Sequence, residues 1–346
     1  MPVILSAAKI PVELASFRPG CALPAGRPEP VAALGRFAGA PKDEKRKLFG
    51  RLLGMLGLGS ILWLPGHAAQ AGDAPLDVVK VFLLAGQSNM SGRAPSVDLP
   101  ERYRVPPPKI QYDYACSFGA GDLMKPEDDP KAGGPPEPHR SQGWVALQAA
   151  PKHLSTPGEH FGPEIGFGHA LTARWPGQNI AIIKHGRGAT NLAEEWAPEA
   201  TSGRQLYQDF LAQVRTALAR FTARGITFEV CALVWSQGEA DSTERQWAEA
   251  YERNLTAFFA RVRRDLNLPG LPMLVALTGD GRNNPRMLFS AEVRRAQRAV
   301  VARDPHAALV TGDDLALLDH THYDAAGQLT LGERLAEAYL KQASAK

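Results

Sequence analysis

The sequence has little of several features that mark specialised protein classes. Its 346 residues include only three cysteines, and none are spaced as metal-binding pairs. One apolar run, residues 52–64, has 13 residues, whereas a membrane-spanning helix needs about 20. There is no internal repeat. The formal net charge is +3, and residues 1–71 carry +5 while the remainder carries −2. The larger part therefore offers no basic surface for nucleic acid or for an anionic membrane.

Residues 45–71 have the pattern of a secretory signal peptide. Four basic residues precede the apolar run, and an Ala-Gln-Ala cleavage site follows it, ending at Ala71. We therefore expect cleavage near Ala71 and a secreted or periplasmic mature protein without a membrane span. Because signal peptides stand at the start of a chain, we interpret residues 1–44 as a non-native or disordered leader extension from a translation start assigned too far upstream.

Residues 72–346 are predicted to form a single α/β domain. Apolar strand-like segments alternate with amphipathic helices, which indicates a mainly parallel sheet with helices on both faces. Thirteen of the 28 prolines lie between Pro95 and Pro163, so an insertion at residues 91–161 is predicted to be irregular, as in lids and binding loops. The predicted strands are residues 78–85, 109–114, 179–185, 228–235, 273–277 and 308–311, and the predicted helices are residues 164–175, 206–221, 243–264, 291–302 and 326–340.

The first predicted strand leads directly into a turn that carries a serine. Residues 81–90 read VFLLAGQSNM, and Gly86 ends the apolar stretch. Ligands of open α/β sheets bind beyond the carboxyl ends of the strands, so Ser88 is a candidate nucleophile. Gln87 and Asn89 beside it are candidates for substrate contact. Gly, Ser and Asn also favour ordinary turns, so the tetrapeptide alone does not establish a catalytic site.

Three more polar segments follow predicted strands and are expected at the same edge of the sheet: residues 186–190, 236–241 and 319–322. A serine hydroxyl becomes a good nucleophile when an imidazole takes its proton and a carboxylate orients that imidazole. Asp319 and His322 can supply both groups from one segment.

The tetrahedral intermediate of acyl transfer also needs hydrogen-bond donors for its oxyanion. The candidate donors are the backbone amides of Ser88 and Gly188 and the side-chain amide of Gln237.

Several residues near these segments have more than one interpretation. Glu239 is an alternative candidate for the acid, or it holds its turn. His320 is interpreted as an exposed loop residue, and a zinc site formed with His322 and Asp324 is the weaker hypothesis. Trp196 is a candidate for sugar contact, although aromatic residues beside strands are more often part of the core.

Four motifs occur in order between residues 78 and 339. They are Gly-Gln-Ser-Asn-Met at residues 86–90, a Gly-x-Thr turn at residues 188–190 followed by Leu192 and Trp196, Gln-Gly-Glu-x-Asp at residues 237–241, and Asp-x-x-His at residues 319–322 followed by Gly327, Leu331, Gly332 and Arg334. In these motifs the chain resembles the SGNH-type esterases of the sialate O-acetylesterase and carbohydrate esterase family six (acetylxylan esterase) group. It departs from the common pattern at Ser236, where these enzymes often have His, and at Ala189, where a second Gly is common.

The resemblance implies a flavodoxin-like, three-layer α/β/α fold and metal-free deacetylation of sugars through an acetyl-serine intermediate, without a cofactor. It implies Ser88 as nucleophile, His322 as base and Asp319 as its partner. It also implies an oxyanion hole formed by Gly188 and Gln237.

The sequence therefore predicts a serine esterase that removes O-acetyl groups from an acetylated oligosaccharide or polysaccharide. Acetylxylan and acetylated sialic acid are both open as substrates. Two alternatives remain: a catalytically silent carbohydrate-binding protein of the same fold, and an esterase acting on another acyl substrate such as peptidoglycan.

Overall fold

The computed structural model describes residues 78–117, 139–150 and 158–344, which all belong to one compact unit. The expected leader, signal peptide and cleavage site at Ala71 lie outside the described residues. Within the described residues, no helix combines the length and the apolar character needed to cross a membrane.

The described residues form ten strands and seven α-helices. The strands are β1 (Val79–Gly86), β2 (Ala94–Pro95), β3 (Ile110–Ser117), β4 (His139–Arg140), β5 (Val145–Ala146), β6 (His160–Phe161), β7 (Ile180–Arg187), β8 (Phe228–Ser236), β9 (Met273–Ala276) and β10 (Ala307–Val310). The helices are α1 (Ser88–Ser91), α2 (Glu101–Arg104), α3 (Glu164–Arg174), α4 (Leu206–Ala223), α5 (Arg245–Asp265), α6 (Ser290–Arg303) and α7 (Ala325–Ser344).

The central sheet has the strand order β10-β9-β8-β1-β7-β3-β4, and β5 also pairs with β3. All pairs from β10 to β3 are parallel, whereas the short strands β4 and β5 are antiparallel to β3. The strands β7, β1, β8, β9 and β10 follow the flavodoxin-like order 2-1-3-4-5, and β3 is added outside β7. The predicted α/β fold is confirmed.

The alternation of side chains along β1 divides the core into two layers. Phe82 and Leu84 point to one face, where they join a buried cluster with residues of α3 and α7. Val81 and Leu83 point to the other face and join residues of α4, α5 and α6. Because helices cover both faces, most residues of the central strands are apolar, which is why the sequence predicts these strands well.

The insertion at residues 91–161 is more regular than the sequence indicates. The predicted short strand at residues 109–114 is the eight-residue β3, which pairs in parallel register with the whole of β7. Tyr112 and Tyr114 are buried there, so β3 belongs to the central sheet. The predicted strand is confirmed, but it is longer than predicted because the surrounding prolines obscure the strand pattern. Residues 118–138 and 151–157 of the insertion lie outside the described residues.

Gly86 lets the chain leave β1 close to the end of β8. Its φ is +151°, and a Cβ atom at this position would lie only 2.0 Å from the carbonyl oxygen of Ser236. A side chain would therefore push the two strand ends apart. Ser88 consequently starts α1 at the point where the strand order reverses, between β1 and β8.

Candidate active site

Ser88, His322 and Asp319 form a connected chain of hydrogen bonds. Ser88 Oγ lies 2.9 Å from His322 Nε2, although the two residues are 234 positions apart in the sequence. His322 Nδ1 lies 2.7 Å from Asp319 Oδ2. With the proton on Nδ1, the imidazole accepts from the serine hydroxyl and donates to the carboxylate, which is the arrangement that activates a serine.

Asp319 is held as a carboxylate by the turn in which it lies. Its Oδ1 accepts hydrogen bonds from the backbone amides of Thr321 (2.7 Å) and His322 (2.8 Å). Partial burial acts to raise the pKa of Asp319, but the hydrogen bond and charge of His322, together with these amides, outweigh it and hold the pKa well below its usual range. The carboxylate is therefore ionised at neutral pH.

The sequence suggested that the segment with Asp319 and His322 directly follows the last strand, β10. In the structure it does not. It lies in the loop between β10 and α7, where Leu317 and Tyr323 form an antiparallel bridge. The backbone amide of Leu318 also donates to the carbonyl of His322 at 2.7 Å. These bonds close a tight turn that returns His322 toward Ser88.

The end of β7, which directly precedes Gly188, lies against helix α1. A Cβ atom on Gly186 would lie 2.5 Å from Ser91 Oγ, so β7 and α1 are in close contact. Thr190 Oγ1 donates to the carbonyl of Arg187 at 2.7 Å and closes the turn around Gly188. Ala189 has a φ of +52°, a left-handed conformation that favours glycine.

Gln237 does not fit the oxyanion role expected from the sequence. Its side-chain amide donates to the carbonyl of Thr190 (3.0 Å) and to Asp241 Oδ2 (2.5 Å), so both hydrogens are already used. Its Oε1 accepts from the hydroxyl of Tyr251 at 2.9 Å. Gln237 is therefore a support for the Gly188 turn, and the backbone amides of Ser88 and Gly188 remain the candidate oxyanion donors.

Asp241 is a supporting residue to which the sequence analysis gave no role. It accepts hydrogen bonds from the backbone amides of Leu192 (2.8 Å) and Ala193 (3.2 Å) as well as from Gln237. Burial raises the pKa of Asp241 to about 7, against the effect of these donors. Its place in the Gln-Gly-Glu-x-Asp motif was the available signal.

Two of the expected substrate contacts are structural instead. Trp196 is fully buried, donates from Nε1 to Thr190 Oγ1 at 3.0 Å and packs edge-on against Trp235. Gln87 is also buried, and its Oε1 accepts from the backbone amides of Gly238 (3.3 Å) and Ala240 (3.2 Å). Trp196 thus belongs to the core, and the Gln87 oxygen fixes the segment after β8.

Glu239 contacts Asn89 rather than the imidazole. Its Oε1 accepts from Asn89 Nδ2 at 2.6 Å, and both side chains are buried. The geometry therefore favours Asp319 over Glu239 as the acid of the triad. Asn89, a further expected substrate contact, lies in the protein interior.

A buried ion pair supports the end of helix α1, the helix that carries Ser88. Lys184 Nζ lies 2.6 Å from Glu164 Oε2, and both side chains are fully buried. Lys184 also donates to the carbonyl of Ser91 at 3.0 Å, which anchors the end of α1. The available sequence signal was a lysine directly after four apolar residues of β7, but the sequence does not show its partner.

A pocket of about 420 Å³ opens beside the triad, between the loops that follow β8, β9 and β10. Asp319 and Thr321 belong to its wall, so the pocket adjoins the catalytic turn. His320 lines this pocket rather than the triad. Four carboxylates and one guanidinium line the pocket: Glu239, Asp280, Asp313, Asp319 and Arg282.

The zinc hypothesis has no support in the geometry. Asp324 Oδ1 accepts from the backbone amide of Gly327 at 2.7 Å, near the start of α7. Within residues 78–117, 139–150 and 158–344, no group of three or more His, Cys, Asp or Glu side chains is placed to bind a metal ion.

Comparisons with known proteins agree with the fold. A probable carbohydrate esterase of Arabidopsis thaliana is 25% identical over 283 residues, which cover 80% of this chain and 96% of the relative. Its crystal structure superposes with a TM-score of 0.56 at 22% identity, over 76% of this chain and 98% of that one. A carbohydrate acetylesterase of Xanthomonas citri superposes with a TM-score of 0.54 at 18% identity, over 77% of this chain and 57% of that one.

The sequence profile of the family described as carbohydrate esterase, sialic acid-specific acetylesterase matches residues 78–341. This match covers the triad, the Gly188 turn and all strands of the central sheet. The chain therefore belongs to this carbohydrate esterase family.

Proposed function

We propose that this protein is a serine esterase that removes O-acetyl groups from carbohydrates through an acetyl-serine intermediate. The observation that carries the proposal is the continuous hydrogen-bond chain from Ser88 Oγ through His322 to Asp319. Membership of a carbohydrate esterase family supports the acetylated sugar as substrate.

In the first step, Ser88 Oγ attacks the acetyl carbonyl carbon while its proton passes to Nε2 of His322. Asp319 stabilises the imidazolium that forms, because its carboxylate bonds to Nδ1. The oxyanion of the tetrahedral intermediate accepts from the backbone amides of Ser88 and Gly188. The Ser88 amide has no acceptor within α1, since the first-turn amides of a helix lack one.

Collapse of the intermediate releases the sugar hydroxyl, which takes the proton from His322 Nε2. A water molecule then attacks the acetyl-serine ester while His322 accepts its proton, and as this second intermediate collapses Ser88 Oγ takes that proton back and acetic acid leaves. The side chain of His322 is only 12% exposed, so most of the imidazole is shielded from competing solvent while the proton moves.

The charge of the adjoining pocket favours a neutral sugar over acetylated sialic acid. The one guanidinium in its wall, from Arg282, is bonded to Asp280, and Arg294 pairs with Asp313. Among the described residues, the wall has no further lysine or arginine to balance the carboxylates of Glu239 and Asp319. A sialic acid carboxylate would therefore meet net negative charge, whereas the hydroxyls of a xylan-type or mannan-type oligosaccharide can donate to the carboxylates.

The proposal is tested by acetate release from p-nitrophenyl acetate and from acetylated xylan oligosaccharides. We expect turnover by the wild type and loss of turnover in Ser88→Ala and His322→Ala, with unchanged circular dichroism. Full turnover by Ser88→Ala would refute the mechanism. Glycan binding by the wild type without any hydrolysis would favour a silent carbohydrate-binding protein.

We also propose that the protein is exported, on the strength of the signal-peptide pattern at residues 45–71. N-terminal sequencing of the product from the periplasm or medium should begin near Gly72. Recovery of intact Met1 from the cytoplasm would contradict export.

A further inference from the structure

The side chain of Asn89 joins the nucleophile helix to the loop of the base. Its Nδ2 donates to the carbonyl oxygen of Thr321 at 3.2 Å, and its Oδ1 accepts from the backbone amide of Tyr323 at 3.3 Å. Thr321 and Tyr323 are the residues on either side of His322. Asn89 follows Ser88 directly, so one buried amide spans the same gap as the catalytic hydrogen bond.

Glu239 fixes the orientation of this amide. A carboxylate can only accept hydrogen bonds, so the NH₂ end of Asn89 must face Glu239 Oε1, which lies 2.6 Å from Nδ2. The oxygen of Asn89 then faces the amide of Tyr323. Rotation of the Asn89 amide by half a turn would set oxygen against carboxylate and would also break both bonds to the His322 loop.

Gln87 holds Glu239 in a matching way. Its Oε1 accepts from the backbone amides of Gly238 and Ala240, the two residues that flank Glu239. Gln87, on one side of Ser88, therefore bonds to the two residues that flank Glu239. Asn89, on the other side, bonds to the two residues that flank His322. Together, Gln87, Asn89 and Glu239 form a continuous set of contacts around Ser88.

We propose that Asn89 is a positioning residue that sets the distance between Ser88 Oγ and His322 Nε2, and that Glu239 is a positioning residue that acts through Asn89. This assignment rests on the proposed function, and it gives Glu239 a role other than that of the triad acid. Proton transfer from serine to imidazole depends steeply on distance, and a displacement of about 1 Å can cost about 10²-fold in rate.

The test compares Glu239→Gln with Glu239→Met, using p-nitrophenyl acetate. Gln keeps an oxygen that accepts from Asn89, so Glu239→Gln should retain much more of the wild-type kcat than Glu239→Met. Met has similar size but no strong acceptor, so we expect kcat to fall about 10²-fold with little change in KM. A merely structural role would lower the melting temperature and leave the kcat of the folded enzyme intact, which would overturn the proposal.

Two further variants guard against misleading results. Glu239→Met leaves the Asn89 NH₂ short of an acceptor, and the double variant Asn89→Leu/Glu239→Met removes that group, at the cost of the Asn89 bonds to the Thr321 carbonyl and the Tyr323 amide. It should fold and be as slow as Glu239→Met. Asn284→Ala removes a different tether of the same loop, the 2.7 Å bond to Thr321 Oγ1, and should keep wild-type kcat. An equal loss in Asn284→Ala would overturn the proposal, because general loosening of the loop would then explain the data.

A structural readout separates this inference from the proposed function. In a crystal structure of Glu239→Met, or of the double variant, we expect the Ser88 Oγ–His322 Nε2 separation to exceed about 3.5 Å, beyond hydrogen-bond distance. An unchanged separation would overturn the positioning role even if the wild type proved to hydrolyse no ester. Conversely, an inactive Glu239→Gln beside an active Asp319→Asn would show that Glu239 acts as the acid instead.

Discussion

The carboxylate of Asp319 lies 2.7 Å from Nδ1 of His322, three residues later in the same turn. Local backbone bonds therefore hold Asp319 and His322 together. Only the approach of His322 to Ser88 depends on distant parts of the chain. This separation of local and long-range contacts determines which substitutions should affect chemistry and which should affect stability.

Replacement of Asp319 by Asn should reduce kcat on the order of 10⁴-fold, because the imidazole loses both its stabilising charge and its preferred tautomer. The measurement is steady-state hydrolysis of p-nitrophenyl acetate. Asp314→Asn is the matched control, since Asp314 pairs with Arg334 away from the triad and should keep wild-type rates. Equal activity of the two variants would show that the acid lies elsewhere.

The net negative charge of the pocket predicts a preference for neutral over anionic substrates, and higher ionic strength should weaken this preference. The value of kcat/KM should be higher for acetylated xylan oligosaccharides than for O-acetylated sialic acid. Added salt should raise it for the anionic substrate and leave the neutral one nearly unchanged, because salt screens the repulsion. A preference for sialic acid that weakens with salt would contradict the assigned charge preference.

The left-handed conformation of Ala189 predicts that Ala189→Gly stabilises the fold. An L-residue in this conformation costs about 1–2 kcal/mol, whereas glycine costs roughly 0.5–1 kcal/mol in chain entropy. We expect a gain of about 0.5 kcal/mol in the free energy of unfolding, measured by urea denaturation. Ala257→Gly, an exposed position in the middle of α5, should instead lose about 1 kcal/mol. A loss in both variants would contradict the strain at Ala189.

Buried His185 predicts a pH dependence of stability. Burial lowers its pKa to about 4, opposed by its bond to Gln213. The folded state therefore binds fewer protons than the unfolded state between pH 4 and about 6.5, so the free energy of unfolding should fall as pH falls through this window. The contribution of His185 corresponds to about 3 kcal/mol at most, since one pKa unit is 1.36 kcal/mol.

The variant His185→Asn should show a flatter profile over the same window in pH-dependent urea denaturation. An identical slope in wild type and variant would show that His185 is not the group responsible.

The sequence predicted the strands and helices of the sheet within a few residues, because a sheet covered on both faces produces continuous apolar strands between amphipathic helices. It also predicted that Ser88, Asp319 and His322 lie together, because parallel strands place their carboxyl ends at one edge, and the three side chains are in hydrogen-bond contact. The side chains of Gln237 and Trp196 could not be assigned in this way. Their partners, Asp241 and Thr190, lie on loops, and a motif does not show which acceptor an amide or indole uses.

The prediction of β3 was incomplete for a different reason. The strand is set by its pairing with β7, a long-range contact, while the prolines at residues 106–108 and beyond dominate the local pattern. Similarly, the buried pair of Lys184 and Glu164 is visible only when β7 and α3 are packed together.

The central claim is that Ser88 forms a covalent acetyl ester, and it is tested most directly by trapping that intermediate. The protein would be mixed with p-nitrophenyl acetate, quenched in acid and digested, and the peptides analysed by mass spectrometry. The account predicts one acetyl group on Ser88 in the wild type and none on the corresponding peptide of Ser88→Ala or His322→Ala. Turnover by the wild type with the acetyl group on another residue, and with Ser88 unmodified, would contradict it.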